Sequence, residues 1–212
     1  MTTLILLRHG QTISNINQIY QGQGDGILSK KGLQQARAAA KFFSKIKIDA
    51  IFSSDLRRAH DTAKIIAKHH KVRVTRARNI RERFYGDWEG LRFSDIAKKY
   101  TRLYKLWLKE PNKARIPGAE TLKDFQKRSV RAVTKIIKAN KGRTVLVVAH
   151  GGTNRTILFK YLGLDLNNFW KIRQSNCCYN IIEFKKPYPK VVLMNGTSYL
   201  FKKSSIKTDV LA

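Results

Sequence analysis

With 212 residues, 42% of them hydrophobic and 10% aromatic, the chain can bury a full core in one domain, which excludes a disordered polypeptide. Lys and Arg number 43 against 14 Asp and Glu, a formal net charge of +29 that is spread along the chain, densest over 76–83 and 98–115, and so excludes a basic tail on a neutral domain. Met1-Thr2-Thr3 lacks a basic leader and no apolar run approaches a membrane span, so a cytoplasmic protein with no membrane partner is expected.

The first element is a short buried strand, Leu4-Ile5-Leu6-Leu7, running into Arg8-His9-Gly10-Gln11-Thr12-Ile13. A guanidinium, an imidazole and a glycine thus arrive together at a strand end, where open α/β sheets bind ligands. Arginine offers a planar fork to oxyanions, glycine lets backbone come close, and histidine can serve as nucleophile, base or metal ligand. The segment alone chooses none of these roles. The Gly-rich stretch Gln21-Gly22-Gln23-Gly24-Asp25-Gly26 lies too far from a helix start to be a dinucleotide fingerprint. It reads as a mobile rim, with Gln21 and the Gly22 amide within reach of substrate. Ser29 caps a helix with Leu33, Ala36, Ala40 and Phe43 inward. After a second strand, Asp49-Ala50-Ile51-Phe52-Ser53, a helix capped by Ser54 or Asp55 places Arg58 in its first turn, where amides and a guanidinium can face an anion together. Arg57 reads as solvated.

Val72-Arg73-Val74-Thr75 is expected at a sheet edge. The following loop carries the carboxylates Glu82, Asp87 and Glu89 and the rings Phe84, Tyr85 and Trp88, a combination that reads as a wall folded back on the domain. Taken by itself, each carboxylate is better explained as an ion-pair partner of the neighbouring arginines than as a general acid, and spacing picks none among them. A helix is expected over 93–108, with Ile96, Tyr100, Leu103, Tyr104 and Trp107 inward. Another follows over 122–140, with Leu122, Phe125, Val130, Val133, Ile136 and Ile137 inward. Thr144-Val145-Leu146-Val147-Val148-Ala149 is the clearest buried strand, and it delivers His150-Gly151-Gly152. Parallel strands would bring His9 and His150 to one crevice. Strands over 178–184 and 191–194 complete the sheet. Cys177 and Cys178, being adjacent, suit neither a disulfide framework nor a metal site and read as small buried hydrophobes.

Taken in order, these segments resemble the histidine phosphatase superfamily, with its phosphoglycerate mutase-like fold, over nearly the whole chain. Arg8-His9-Gly10 is similar to the signature triplet, and Asn15 falls at the phosphate-binding asparagine. Ser54-Asp55-Leu56-Arg57-Arg58-Ala59 resembles the segment supplying the second arginine, Arg58. Ile80-Arg81-Glu82, with 84–90, resembles the segment whose first glutamate, Glu82, is the proton donor. Val148-Ala149-His150-Gly151 resembles the strand end carrying the second histidine. The resemblance implies a three-layer α/β/α sandwich around a mostly parallel central sheet with an antiparallel edge strand. It also implies a single domain over 1–201, a lid insertion at about 91–117 and a loose tail, 202–212.

The implied activity is metal-independent phosphomonoester hydrolysis through a phosphohistidine on His9. Arg8, Arg58, Asn15 and His150 would surround the phosphoryl oxygens, Glu82 would protonate the departing alkoxide, and Gln21, Gly22 and Gly151 would line the substrate. Mutases of the family carry a longer cover after the glutamate segment. The short lid here, and Pro117-Gly118-Ala119-Glu120, similar to the phosphatase branch's Pro-Gly-Gly-Glu, resemble the broad-specificity phosphatase branch, with its α-ribazole phosphatase-like members, and favour hydrolysis over phosphoglycerate mutase-type transfer. A non-catalytic phospholigand-binding protein is the reading from another class, and the intact His9, Glu82 and His150 set argues against it. The expected partner is a small anionic phosphomonoester, with no cofactor and no metal. No recognised nucleic-acid module appears, so nucleic acid is disfavoured although the charge leaves it open, as oligomer formation is left open. The basic lid favours a leaving group with a second negative charge.

Overall fold

A computed structural model describes residues 1–201; the tail expected to be loose, from Lys202 on, lies outside the described residues. Strands β1 (Thr2–Arg8), β2 (Ala50–Ser53), β3 (Val74–Arg76), β4 (Thr144–Ala149), β5 (Tyr179–Phe184) and β6 (Lys190–Gly196) form one sheet in the order β3-β2-β4-β1-β5-β6. The first four are mutually parallel, whereas β5 runs antiparallel to both of its neighbours, so antiparallel pairing is confined to one edge.

Both faces of the central strands are buried, which is why they read as continuous apolar runs. Leu4, Leu6, Val145 and Val147 point to one face, under α6 (Leu122–Ala139) and α7 (Gly151–Leu162). Ile5, Leu7, Leu146 and Val148 point to the other, under α2 (Lys30–Phe43) and α3 (Arg57–Ala67). Each such side chain contributes roughly 1.5–3 kcal/mol by burial, and the β1–β4 pair, buried on both faces, carries a large share of it. A third cluster joins Tyr20, Tyr85, Trp88, Ile96, Trp107 and Ile116 to Phe125, Phe159 and Phe169, outside the sheet and beyond its carboxyl edge.

Three local expectations change, and one helix was not foreseen. The inward face of α2 is Gly32, Ala36, Ala39, Ala40 and Phe43, while Leu33 lies at the surface. Small residues let the helix press on the signature loop; a Cβ on Gly32 would sit 2.0 Å from the Gln11 carbonyl oxygen. The N-cap of α3 is Leu56, without a side-chain cap, because buried Ser54 accepts the Leu56 amide at 3.3 Å instead and Asp55 turns away to Arg81. The helix over 93–108 breaks at Tyr100 (φ −120°, ψ 39°) into α4 (Phe93–Lys99) and α5 (Thr101–Lys109). The Thr101 hydroxyl bonds back to the carbonyls of Ala97 and Lys98, filling the bonds the break leaves open. Finally, α7 carries buried Thr153, Asn154 and Thr156 beside its apolar residues. A helix enclosed all round shows no 3.6-residue apolar period, so its sequence gave no helical signal. A short turn, α1 (Ile13–Ile16), completes the seven helices among the described residues.

Candidate active site

Register places the two histidines. Arg8 pairs with Ala149 across the parallel β1–β4 ladder, so the next residues, His9 and His150, leave the sheet side by side. The His9 amide donates to the Ala149 carbonyl at 3.0 Å, and the two rings lie 5.2 Å apart between centroids. The Gly10 carbonyl, 2.7 Å from His9 Nδ1, can only accept, so Nδ1 carries the proton. The remaining nitrogen, Nε2, then holds a lone pair as long as the ring stays neutral. Burial holds His9 well below the usual histidine range, and the Arg58 and Arg8 guanidiniums push in the same direction. His150 is wholly buried and is likewise held well below its usual range, first by burial and then by Arg58; neither of its ring nitrogens has a protein partner among the described residues.

Cations and amides converge on this pair. A pocket of about 240 Å³ is lined by Arg8, His9, Asn15, Gln21, Gly22, Arg58, Glu82 and Gly151. Arg8 is anchored through Nη1 to the Gln174 carbonyl at 2.6 Å, leaving its buried Nε without a protein partner. Arg58 is anchored through Nη1 and Nη2 to the carbonyls of Gly24 and Gly22, each at 2.7 Å, and its buried Nε is likewise unpaired. Burial pushes Arg58 down to about 10, which still leaves it a cation at neutral pH. The Asn15 carbonyl oxygen accepts from the Thr12 amide at 3.1 Å and from Asn176 Nδ2 at 3.0 Å. That use of the oxygen leaves the Asn15 Nδ2 hydrogens for the pocket. Unpaired donors of this kind, grouped around one small space, are suited to a tetrahedral oxyanion.

Glu82 faces the same space from the loop before the third cluster. Its two carboxyl oxygens accept from the backbone amides of Arg83 and Gly152, each at 2.9 Å. Arg128 fixes that loop by donating to the carbonyls of Asn79, Arg81 and Glu82 and pairing with Glu120. The other loop carboxylates lie elsewhere. Asp87 is exposed, and Glu89 accepts from the amides of Gln23 and Tyr85 at 2.8 and 3.0 Å, tying the two loops together. Arg57 is exposed and pairs with Asp61 at 3.5 Å, in keeping with a solvated role.

Two expectations are corrected. The Gly-rich rim is held rather than mobile: Arg58 grips its carbonyls, Glu89 its Gln23 amide, and Gln21 accepts from the Thr12 hydroxyl at 3.0 Å. The expected aromatic wall reaches the pocket only at Tyr85; Phe84 is exposed and Trp88 is buried against Tyr20. Arg155, Tyr20, Ile19, Phe93 and Trp170 also line the pocket, and none of them belongs to a motif in the sequence. Their only signal is position, since Arg155 lies one helical turn beyond Gly151.

A serine–histidine pair elsewhere does not compete. Ser53 Oγ lies 3.0 Å from His60 Nδ1, but Arg76 Nε donates to His60 Nε2 at 3.2 Å. His60 must therefore donate to Ser53, the reverse of an activated serine. Among the described residues, no three His, Cys, Asp or Glu side chains are grouped to hold a metal ion, and no helix is long and apolar enough to cross a membrane.

Residues 4–197 match the model of the histidine phosphatase superfamily (branch 1). The chain is 33% identical over 195 residues to putative phosphoserine phosphatase 2 of Hydrogenobacter thermophilus, covering 92% of this chain and 96% of that protein. It is 37% identical over 163 residues to the metal-independent phosphoserine phosphatase of Arabidopsis thaliana, covering 76% and 68%. Among solved structures, YhfR of Bacillus stearothermophilus superposes with a TM-score of 0.91 at 28% identity, covering 95% of this chain and all (100%) of that one.

Proposed function

The chain belongs to the histidine phosphatase superfamily, and on that basis we propose that it hydrolyses small phosphomonoesters without a metal, through a phosphohistidine on His9. The observation that carries this reading is the fixed tautomer: Nδ1 donates to Gly10, and the ring, held neutral, presents the Nε2 lone pair. In the first step Nε2 attacks phosphorus in line, forming the N–P bond as the bond to the ester oxygen breaks. Glu82 gives its proton to that leaving oxygen. In the second step water attacks the phosphohistidine, Glu82 takes the water proton, and His9 returns neutral as inorganic phosphate departs. Arg8, Arg58, Asn15 and His150 hold the equatorial oxygens, supplying the positioning and charge stabilisation on which phosphoryl transfer depends.

The reading extends to the whole chain as one domain over 1–201 with 91–117 as a lid. Its support is the third cluster, which packs the lid residues Ile96, Trp107 and Ile116 onto Tyr20, Tyr85 and Phe159. The names of the relatives, phosphoserine phosphatases, support hydrolysis over mutase transfer. The test is phosphate release from an aryl phosphate and from alkyl phosphates, in chelator, by the wild-type protein and His9→Ala. Release should fall at least about 10³-fold in the variant, and acid quenching of the wild type should trap an acid-labile, base-stable phosphoryl label. Turnover that persists in His9→Ala or stops in chelator refutes the reading.

A further inference from the structure

A buried pair of amides lies behind the pocket and has no part in the chemistry above. Gln174 Nε2 donates to Asn180 Oδ1 at 2.8 Å, and Asn180 Nδ2 returns a bond to Gln174 Oε1 at 2.9 Å, both side chains being almost wholly enclosed. Asn180 also donates to the Leu6 carbonyl of β1 and accepts from the Asn195 amide of β6. Polar groups enclosed in this way cost stability unless each is bonded, and once bonded they fix one arrangement of the chain around them. What they fix here is the loop 174–178, which leads into β5. Its Gln174 carbonyl accepts from Arg8, and its Cys177 amide donates to the His9 carbonyl at 3.1 Å. The Cys177 φ of 56° is a left-handed conformation that a non-glycine residue keeps only where its surroundings enforce it. Between these two anchors stands Asn176. Its Nδ2 donates to Asn15 Oδ1 at 3.0 Å and reaches the His9 carbonyl oxygen at 3.4 Å.

We propose that Asn176 is a positioning residue of the phosphoryl site, setting the Asn15 amide at a fixed place relative to the His9 nucleophile. The proposal rests on the phosphatase reading and adds a residue to its machinery. Asn15 needs such a tether. It sits on α1, a turn of 4 residues none of which is buried, with Ile13 and Ile16 at the surface. Its bonds with Thr12 close a capping box, which fixes the side chain within its own turn and moves with that turn. Among the described residues, the bond from Asn176 is the one hydrogen bond of the Asn15 side chain that leaves the turn, and it leads to a loop pinned to β1. A donor held against Oδ1 also keeps that oxygen, which would repel a phosphoryl oxyanion, turned back from the pocket. Asn176 itself stands outside the pocket lining, so it acts on the phosphoryl group through Asn15.

A double-mutant cycle of Asn15→Ala and Asn176→Ala tests this, read as kcat/KM on an aryl and on an alkyl phosphate. Asn176→Ala should lower kcat/KM by about 10-fold, the scale of one charge-assisted hydrogen bond put out of place. The factor should be the same on both esters, because Asn15 serves the phosphoryl group they share. In Asn15→Ala protein the same substitution should cost less than about 2-fold, since nothing is left to position. Asn176→Asp fills the same space and sets an acceptor against Asn15 Oδ1, so it should lose at least as much as Asn176→Ala. Losses that multiply through the cycle overturn the proposal, and so does a full rate in Asn176→Asp, which would show that Asn176 only fills space. A loss confined to the alkyl ester overturns it too, by placing Asn176 on the side of Glu82. If Asn176→Ala does not fold, Asn176→Asp decides. No phosphate release by the wild type from either ester would instead be a failure of the phosphatase reading, and calorimetric affinity for inorganic phosphate through the same cycle would still show whether the two asparagines are coupled.

Discussion

The strand-end half of the pocket and the lid half are built on different principles. His9, Arg8 and His150 are placed by a parallel ladder whose residues are buried on both faces, and each anchoring bond runs to backbone. Tyr20, Tyr85, Phe93, Arg155 and Trp170 are placed mainly by ring packing, with a few single anchors, Trp107 Nε1 to Tyr20 Oη at 2.9 Å and, to backbone, Arg155 Nε to the Ile172 carbonyl at 2.7 Å. Backbone register fixes atoms to a fraction of an ångström and tolerates little substitution. Ring packing fixes a volume and can be reshaped one side chain at a time. The difference suits the first half to the phosphoryl chemistry proposed for it and the second to whatever the ester carries beyond its phosphoryl group.

The largest effect that separates the halves is expected at Gly152. A Cβ there would sit 2.4 Å from Glu82 Oε1 and 3.2 Å from Phe125 Cε1, while both Glu82 oxygens are tied to backbone amides. Gly152→Ala must therefore displace the carboxyl by about an ångström, a misplacement worth about 100-fold in rate. Alkyl phosphates should lose that factor in kcat, and an aryl phosphate with an acidic phenol should lose much less, because its leaving group needs no proton. Equal losses on both substrates would show that Glu82 is not the proton donor.

A smaller effect appears in stability. Burial, with Arg58 adding to it, holds His9 and His150 well below the histidine range in the folded protein. Unfolded, each binds a proton below about pH 6.5. Between that pH and the depressed folded values the unfolded chain holds more protons, so stability rises with pH there and is lost as pH falls below about 6.5. The loss approaches roughly 1.4 kcal/mol per pH unit per histidine. His150→Asn should make the acid limb of a Tm-against-pH curve shallower by about half of the two-histidine slope. An unchanged limb would mean that His150 is not held neutral. The wild-type kcat/KM should show no loss from His9 protonation in the same range, since the ring stays neutral.

How much of this could be read from the chain depends on the range of the interactions. His9 and His150 were legible because each ends a buried strand, and parallel strands deliver their ends to one edge of the sheet; that the two rings sit side by side follows from β1 and β4 being neighbours. The break at Tyr100 was hidden, since 93–108 keeps one apolar period across it and the Thr101 hydroxyl bonds that settle the matter carry no periodic mark. The stiffness of the rim was hidden too, because a glycine-rich segment looks mobile until the guanidinium 34 residues away that holds the Gly24 carbonyl is seen. Arg155 was illegible for two reasons. It is one of 43 cations, and it sits on α7, whose enclosure erases the pattern that would have marked a helix turning toward the pocket.

The smallest effect probes the lid. Tyr20 touches the pocket with its ring and accepts from Trp107 Nε1 with its hydroxyl, within a cluster that also packs Trp107 at a tilt against Phe169 and edge-on against Trp170 and sets Arg83 4.6 Å above it. Tyr20→Phe keeps every ring contact but leaves the buried Trp107 Nε1 donor without its acceptor, a cost of about 1–3 kcal/mol. For a chain of this length each kcal/mol lowers Tm by about 2–4 °C. Turnover should change mainly in KM for esters whose leaving group reaches the lid, because ring packing continues to define the volume while Trp107 gains slack. A drop in kcat on the aryl phosphate comparable to that of Gly152→Ala on alkyl phosphates would mean that Tyr20 helps to hold the reacting atoms, and the boundary between the two halves would have to move to include it.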